Sequence, residues 1–379
     1  MLVAVNLRAS ITAVGPIVDD IRADLGLSSA AAGLLTTLPV LAFAGASPIA
    51  VPLSRRIGIE RTLAGALVLM LAGILIRITG PVWAAFLGTA MLGVAIASGN
   101  VLLPALAKRD LPDRVGTVTS IYVTLMVAFA AIASTVAVPL ADDAGLGWQG
   151  ALAVWAAPVV AGLLVWVPRV IGSRAVPAPA GGPRVRPTRM RRSAIAWWVT
   201  AYMGLQSFAF FVLVAWFPDL LQDDGVSASR AGLLMGVMQA SSLAATIAVP
   251  VLATRARNQL HLVLVSTALG VFATAGLLVA PGDLALLWTL SVGVAGGSTL
   301  SLALAFFVVR TRDGSDAAAL SGMAQSIGYL FASTGPFLIG ALHDATDGWT
   351  APVIVFVTVW VLIGVTGMFA GRARIAAEP

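Results

Sequence analysis

Apolar residues run along this chain in stretches of roughly 20 to 28 positions, separated by short polar clusters, from one end to the other. At 1.5 Å per residue each stretch is long enough to cross a ~30 Å hydrocarbon layer as an α-helix. Strands of a membrane barrel would instead alternate weakly over about ten residues. The pattern predicts twelve spans, at about 1–21, 28–53, 61–79, 81–107, 115–140, 150–168, 194–217, 229–253, 260–280, 284–309, 315–341 and 350–371. The predicted fold class is an all-α membrane protein with twelve transmembrane helices.

Composition agrees: 59% of the residues are hydrophobic, 11% are charged, and the mean hydropathy is +0.96. Those values lie far from the usage of soluble domains. The opening apolar run has no small-residue cleavage site and further spans follow it, so it reads as a first span and not as a leader. There is no cysteine, which leaves neither disulfides nor thiolate metal sites to consider.

A net charge of +6 raises the question of a nucleic-acid partner, but the placement of the charges points elsewhere. With both termini taken as cytoplasmic, 19 of the 23 lysines and arginines fall in inner loops or the tail, and only Arg22, Arg77 and Arg230 fall outside. This is the positive-inside asymmetry of a multi-pass protein of a cell (cytoplasmic or inner) membrane. The lipid bilayer is thus the first expected partner, and no nucleic acid is expected. One cation is left over: Arg8, inside the first span.

The chain also repeats itself. "GLSSAAAGLL" from Gly26 and "GVSASRAGLL" from Gly225 agree at six of ten positions, 199 residues apart. Downstream, Ala50-Val51-Pro52 with Arg55-Arg56 parallels Ala248-Val249-Pro250 with Arg255 and Arg257. Parallel six-helix repeats build one large class of secondary transporters, whose substrates sit near the bilayer midplane. The expected organisation is a six-helix bundle at 1–170, a Pro-, Gly- and Arg-rich cytoplasmic linker at 171–193, and a second six-helix bundle at 194–379, in a monomeric protein.

All 17 carboxylates fall in loops or at helix ends, so Arg8 has no acidic counter-ion at its own depth. A charge at the centre of a membrane helix costs about 2.5–3.5 kcal/mol on insertion scales, and something must offset that cost. An anionic small-molecule substrate would do so, and a cationic one would be repelled. Backbone carbonyls or water could also do so, which would make Arg8 structural. Asn6, Asn100, Tyr122, Tyr202, Gln206, Gln239, Gln325 and Tyr329 add hydrogen-bonding groups within spans, with Tyr202/Gln206 and Gln325/Tyr329 at i, i+4 spacing on one helix face. Interhelical hydrogen bonding is the alternative role for each of them. His261 and His343 lie in separate loops, no phosphate-cradling GxxxxGK occurs, and neither an enzyme active site nor a cofactor is expected. The tryptophans near span ends, Trp83, Trp148, Trp216 and Trp349, read as an interfacial belt.

The strings "NLRASITAVGP", "SGNVLLPALAKRDLPDRVGTVTSIY", "GLQSFAFFVLVAWFPDLLQDDG" and "LSGMAQSIGYLFASTGPFLIGALHD" together give the chain a specific resemblance to the major facilitator superfamily. More narrowly, it resembles that superfamily's cyanate and 2-nitroimidazole porters over essentially its whole length. The resemblance implies two pseudo-symmetric six-helix halves, alternating access, and small anions or nitrated heterocycles as substrates. It places Arg8, Asn100, Gln206 and Tyr329 at family motif positions. There are departures: "VPLSRRIGIER" puts Arg55 where the superfamily's loop has Asp, Ala9 stands where the family favours Pro after the Arg, and Gln149 follows Trp148 where Arg is usual.

The expectation is therefore a secondary transporter of a small anion or small polar heterocycle. Any coupling proton would be carried by the substrate itself or by a helix-end acid such as Asp219. The alternatives are a multidrug exporter of neutral compounds and a transporter-like receptor that binds without flux.

Overall fold

The computed structural model describes residues 1–172, 190–280, 282–372 and 375–376, and all regular structure among them is helical. The first six spans are built from α1 (Leu2–Thr12), α2 (Val18–Leu25), α3 (Ser29–Ile57), α4 (Ile59–Arg77), α5 (Val82–Asp110), α6 (Val115–Ala141), α7 (Gly147–Ala153) and α8 (Ala156–Gly172). The last six are built from α9 (Ala194–Asp223), α10 (Ala228–Arg255), α11 (Leu260–Gly276), α12 (Ala285–Val309), α13 (Gly314–Ala332), α14 (Gly335–Thr346) and α15 (Thr350–Ala370). Among the described residues, nine helical stretches have the length and apolarity to cross a membrane, and Leu2–Ile17 and Leu260–Gly276 are shorter apolar ones. With α13–α14 they occupy the twelve expected positions. The linker expected at 171–193 lies outside the described residues over 173–189.

Three spans expected as single helices are interrupted, for one shared reason. α1 stops at Thr12, four residues before Pro16; the sixth span breaks at Val154, four before Pro158; α13 stops at Ala332, four before Pro336. A proline ring lacks the N–H for the i−4 carbonyl and clashes with it. Other prolines, such as Pro104 and Pro139, are carried inside continuous helices, which membrane helices tolerate. Glycine precedes proline at two of the three breaks, Gly15-Pro16 and Gly335-Pro336, and adds backbone freedom there. Having Ala9 in place of a proline therefore does not leave the first span straight. α9, in turn, runs through Pro218 to Asp223 instead of ending at 217, so Asp219 lies within its last turns.

The internal repeat is visible in local geometry. Gly26 and Gly225 both adopt positive φ, at +63° and +85°, where only glycine sits without steric cost. Two residues on, Ser28 and Ser227 are extended N-caps whose hydroxyls accept from the backbone N–H of Ala31 at 3.2 Å and of Arg230 at 3.4 Å. A second correspondence links the ends of each repeat. Trp148 Nε1 donates to Asp24 at 2.8 Å, and Trp349 Nε1 donates to Asp223 at 2.6 Å. Asp24 and Asp223 are 199 residues apart, the offset of the sequence repeat. Gln149, where the family has Arg, also reaches Asp24 at 3.2 Å. These two tryptophans do more than mark an interface: each ties the start of the last span of its repeat to the end of the first.

Ser28→Ala and Ser227→Ala should each lower stability by about 0.5–2 kcal/mol, additively in the double variant because the sites share no partner. Thermal unfolding in detergent checks this.

The chain divides into two compact units, Met1–Leu106 with Tyr122–Arg184, and Ala107–Ile121 with Val185–Pro379. In the first, Gly73 and Gly88 let α4 and α5 touch backbone to backbone: a Cβ on Gly88 would lie 2.5 Å from the Gly73 carbonyl oxygen. In the second, α12 presses on α10 through Gly293 and Gly297, where an added Cβ would come within 2.4 Å of the Met238 and Ser242 carbonyls. Close approach through small residues is how membrane helices gain packing without a hydrophobic driving force.

Candidate functional site

Within the first unit, α1 positions Arg8. Its neighbour Leu7 is 1% exposed and packs on Gly99 of α5, where a Cβ would fall 2.4 Å from Leu7 Cδ2. Arg8 and Asn100, each next to one side of this contact, therefore share one helix crossing, and both are half-buried. α1 is fixed on its other faces. Asn6 Nδ2 donates to the Leu2 carbonyl at 2.8 Å and, across to α8, to the Pro158 carbonyl at 3.1 Å. The Thr12 hydroxyl reaches the carbonyls of Arg8, at 3.2 Å, and of Ala130 on α6, at 3.1 Å. Asn6 is thus engaged in joining helices, and so holds the element that carries Arg8. Tyr122 lies buried on α6, eight residues or about 12 Å along the helix from Ala130.

Within the second unit, α9 and α13 cross at Gly204 and Gly328, where a Cβ on Gly328 would lie 3.0 Å from the Gly204 nitrogen. Gln206, Gln325 and Tyr329 are all buried within one turn of this crossing. Gln206 Nε2 donates to Ser207 Oγ at 2.7 Å and to the Met203 carbonyl at 3.2 Å, and Gln325 Nε2 donates to Ser321 Oγ at 2.7 Å. Tyr202 faces a different neighbourhood, edge-on to Phe306 of α12 at 5.3 Å between ring centroids and against Gly367 of α15. It is wholly buried, and its hydroxyl has no partner among the described residues. Gln239 is half-buried on α10, between the residues that meet Gly293 and Gly297. Five of the nine expected site residues lie next to a glycine crossing within their unit, Arg8 and Asn100 at Leu7–Gly99 and Gln206, Gln325 and Tyr329 at Gly204–Gly328. Asn6 joins α1 to α8, Tyr122 is buried on α6, and Tyr202 and Gln239 pack at other helix contacts.

Counting charges by loop missed that three cations are engaged by distant backbone carbonyls. Arg77 is the last residue of α4, only 2% exposed, and its Nη1 donates to the Ser10 carbonyl at 2.7 Å. Lys108 Nζ reaches the Val308 carbonyl at 2.5 Å and the Thr311 carbonyl, caps that suit a cation at the C-terminal end of α12. Arg310 is buried, with Nε on the Ala370 carbonyl at 2.8 Å, Nη2 on the Gly371 carbonyl at 2.8 Å, and Gln259 Oε1 as a further acceptor. Burial pushes its guanidinium down to about 10, so it stays charged at neutral pH. Arg310→Met would strand the carbonyls that end α15 and should cost about 1.5–3 kcal/mol, read as a lower unfolding midpoint. No local signal identifies these three residues, because their partners lie 51 to 203 residues away in the chain.

An apolar pocket in the second unit, lined by Val212, Trp216, Phe217, Ile339, Trp349 and Phe356 among others, offers nothing to a charged ligand. Both indole N–H groups there are already bonded, Trp216 to the Pro336 carbonyl at 2.7 Å and Trp349 to Asp223.

Two copies of a six-span repeat, with polar side chains gathered at glycine crossings inside apolar helices, define a multi-pass membrane protein built like a secondary transporter. The Major Facilitator Superfamily family model matches residues 1–333. The chain is 43% identical to an uncharacterized transporter, YycB, of Bacillus subtilis over 99% of its own length and 92% of that protein's. It is 39% identical to the 2-nitroimidazole transporter of Escherichia coli, covering 99% and 94%, and 27% identical to the cyanate transport protein CynX of the same organism, covering 92% and 90%. The fold is similar to that of the proton:xylose symporter XylE bound to 6-bromo-6-deoxy-D-glucose, with a TM-score of 0.76 at 14% identity over 100% of this chain and 96% of that one. The chain belongs to the major facilitator superfamily of transporters, in the branch that holds the cyanate and 2-nitroimidazole porters.

Proposed function

We propose that this protein is a secondary transporter of a small anion or a small polar, nitrated heterocycle, working by alternating access with Arg8 as its charge anchor. The observation that supports the reading is that Arg8, a half-buried cation within an apolar helix, follows Leu7, which packs on Gly99, the residue before Asn100. An anionic or strongly polar substrate is attracted to a cation in that setting. Asn100 is a candidate neutral donor in the first unit, and Gln206, Gln325 and Tyr329 are candidate amide and phenol groups in the second. Relatives whose names specify 2-nitroimidazole and cyanate transport support the substrate class. The absence of carboxylates from the span interiors leaves a coupling proton to the substrate's own acid–base chemistry or to Asp219 near the end of α9.

Uptake into proteoliposomes tests the substrate class. Radiolabelled cyanate, small carboxylates and 2-nitroimidazole should accumulate saturably, and large lipophilic neutral drugs should not. Uptake of the lipophilic neutral drugs alone would replace this reading with the multidrug exporter.

A further inference from the structure

Arg77 carries more donors than the fold uses. Only Nη1 is bonded, to the Ser10 carbonyl at 2.7 Å, while Nε and Nη2 are buried with no partner among the described residues. Those two nitrogens form one edge of the guanidinium, whose parallel N–H groups match two oxygens of a planar oxyanion. Ser10, whose backbone oxygen takes the Nη1 bond, is 1% exposed, and its own hydroxyl is also unpartnered. A third unpartnered polar group, Thr89 Oγ1, is 2% exposed and follows Gly88, where a Cβ would lie 2.7 Å from Arg77 Cβ. Buried polar groups left without a partner are costly, and among those in the described residues Arg77 is the only cation, with the Ser10 hydroxyl on the residue it already bonds.

The geometry points to a second anion site in the first unit, in which the Nε–Nη2 edge of Arg77 takes two oxygens of a planar oxyanion such as a carboxylate or nitrate, and the Ser10 hydroxyl donates to it. Arg77 is held for this task. Its backbone is clamped against Gly88, and its Nη1 is tied to α1 two residues beyond Arg8. The site is independent of the role proposed for Arg8. It selects by shape as well as by charge, because a spherical or linear anion offers the fork only one acceptor atom at a time.

Calorimetric titration of the purified full-length protein with formate, nitrate, chloride and thiocyanate decides this. Formate and nitrate should bind at least tenfold more tightly than chloride and thiocyanate. Arg77→Lys, which keeps the charge but loses the fork, should weaken formate at least tenfold at an unchanged unfolding midpoint. Ser10→Ala should weaken it severalfold, and an Arg8→Gln protein, which loses the anion anchor proposed at Arg8, should keep one formate site that the added Arg77→Lys change weakens. Formate binding that is unchanged in a folded Arg77→Lys variant overturns the site, as does a wild type that does not prefer the planar anions. Binding that is lost in Arg8→Gln but kept in Arg77→Lys also overturns it, and then places the anion at Arg8. If Arg77→Lys does not fold, the wild-type ranking and Ser10→Ala decide: preference for planar anions with a Ser10 effect supports the site, and the lack of either overturns it.

Discussion

Arg8→Gln is expected to abolish substrate uptake while leaving the protein folded. Gln keeps hydrogen-bonding capacity and removes the charge, so the variant isolates electrostatics. Losing one partner of a buried charged pair costs about 2–5 kcal/mol, equivalent to roughly 30-fold to several-thousand-fold in affinity. Arg8→Lys restores the charge as a point and not as a planar fork, and should recover part of that loss. The fold should tolerate both changes. α1 is held through Leu7 on Gly99, Asn6 on the Pro158 carbonyl and Thr12 on the Ala130 carbonyl, none of which uses the Arg8 side chain. Proteoliposome uptake, with thermal unfolding of the same preparations as control, gives the answer. A substitution at Leu164, which is 70% exposed on α8, should leave both readings unchanged.

The second large effect concerns stability. Gly297→Ala should be strongly destabilising and Gly296→Ala neutral, though the two residues are adjacent in sequence and chemically identical. A Cβ on Gly297 would sit 2.4 Å from the Ser242 carbonyl oxygen and 2.9 Å from its Cα, both backbone atoms, so α10 would have to move away from α12. A Cβ on Gly296 meets nothing within 4 Å. Overpacking of this kind costs about 1–3 kcal/mol, on a helix where alanine is otherwise the better helix former by up to about 1 kcal/mol. Unfolding midpoints of the two variants should separate clearly, with Gly293→Ala behaving like Gly297→Ala because its Cβ would lie 2.4 Å from the Met238 carbonyl. Equal midpoints for all three would mean that the helices do not approach as closely as described.

The contrast between Gly296 and Gly297 shows where sequence reading stops. A run of glycines reads as close packing, but which of them touches a neighbour depends on the rotation of α12 against α10, which hydropathy leaves undetermined. Span number and the repeat were legible because each rests on local signals: apolar length, and the Gly-x-Ser turn that reappears as Gly26–Ser28 and Gly225–Ser227. The Pro-induced breaks at Thr12, Val154 and Ala332 could have been anticipated from i−4 sterics, but so could breaks at prolines that α5 and α6 absorb. Arg8 stood out because it lies deep within an apolar run. Arg77 did not, because it ends one, and counting charges by loop placed it outside. Its burial depends on the backbone of Ser10, 67 residues earlier. Likewise Trp148 and Trp349 looked like interface anchors until their partners, Asp24 and Asp223, came into view.

The central claim, that this chain moves a small anion or nitrated heterocycle without ATP, is tested most directly by counterflow. Proteoliposomes are preloaded with unlabelled substrate, cyanate in one set and 2-nitroimidazole in another, and diluted into a trace of the labelled compound with no nucleotide present. The account predicts a transient accumulation of label above its equilibrium level in wild type for at least one of the two, and none for the Arg8→Gln protein. Saturable binding with no such overshoot for either compound would contradict it.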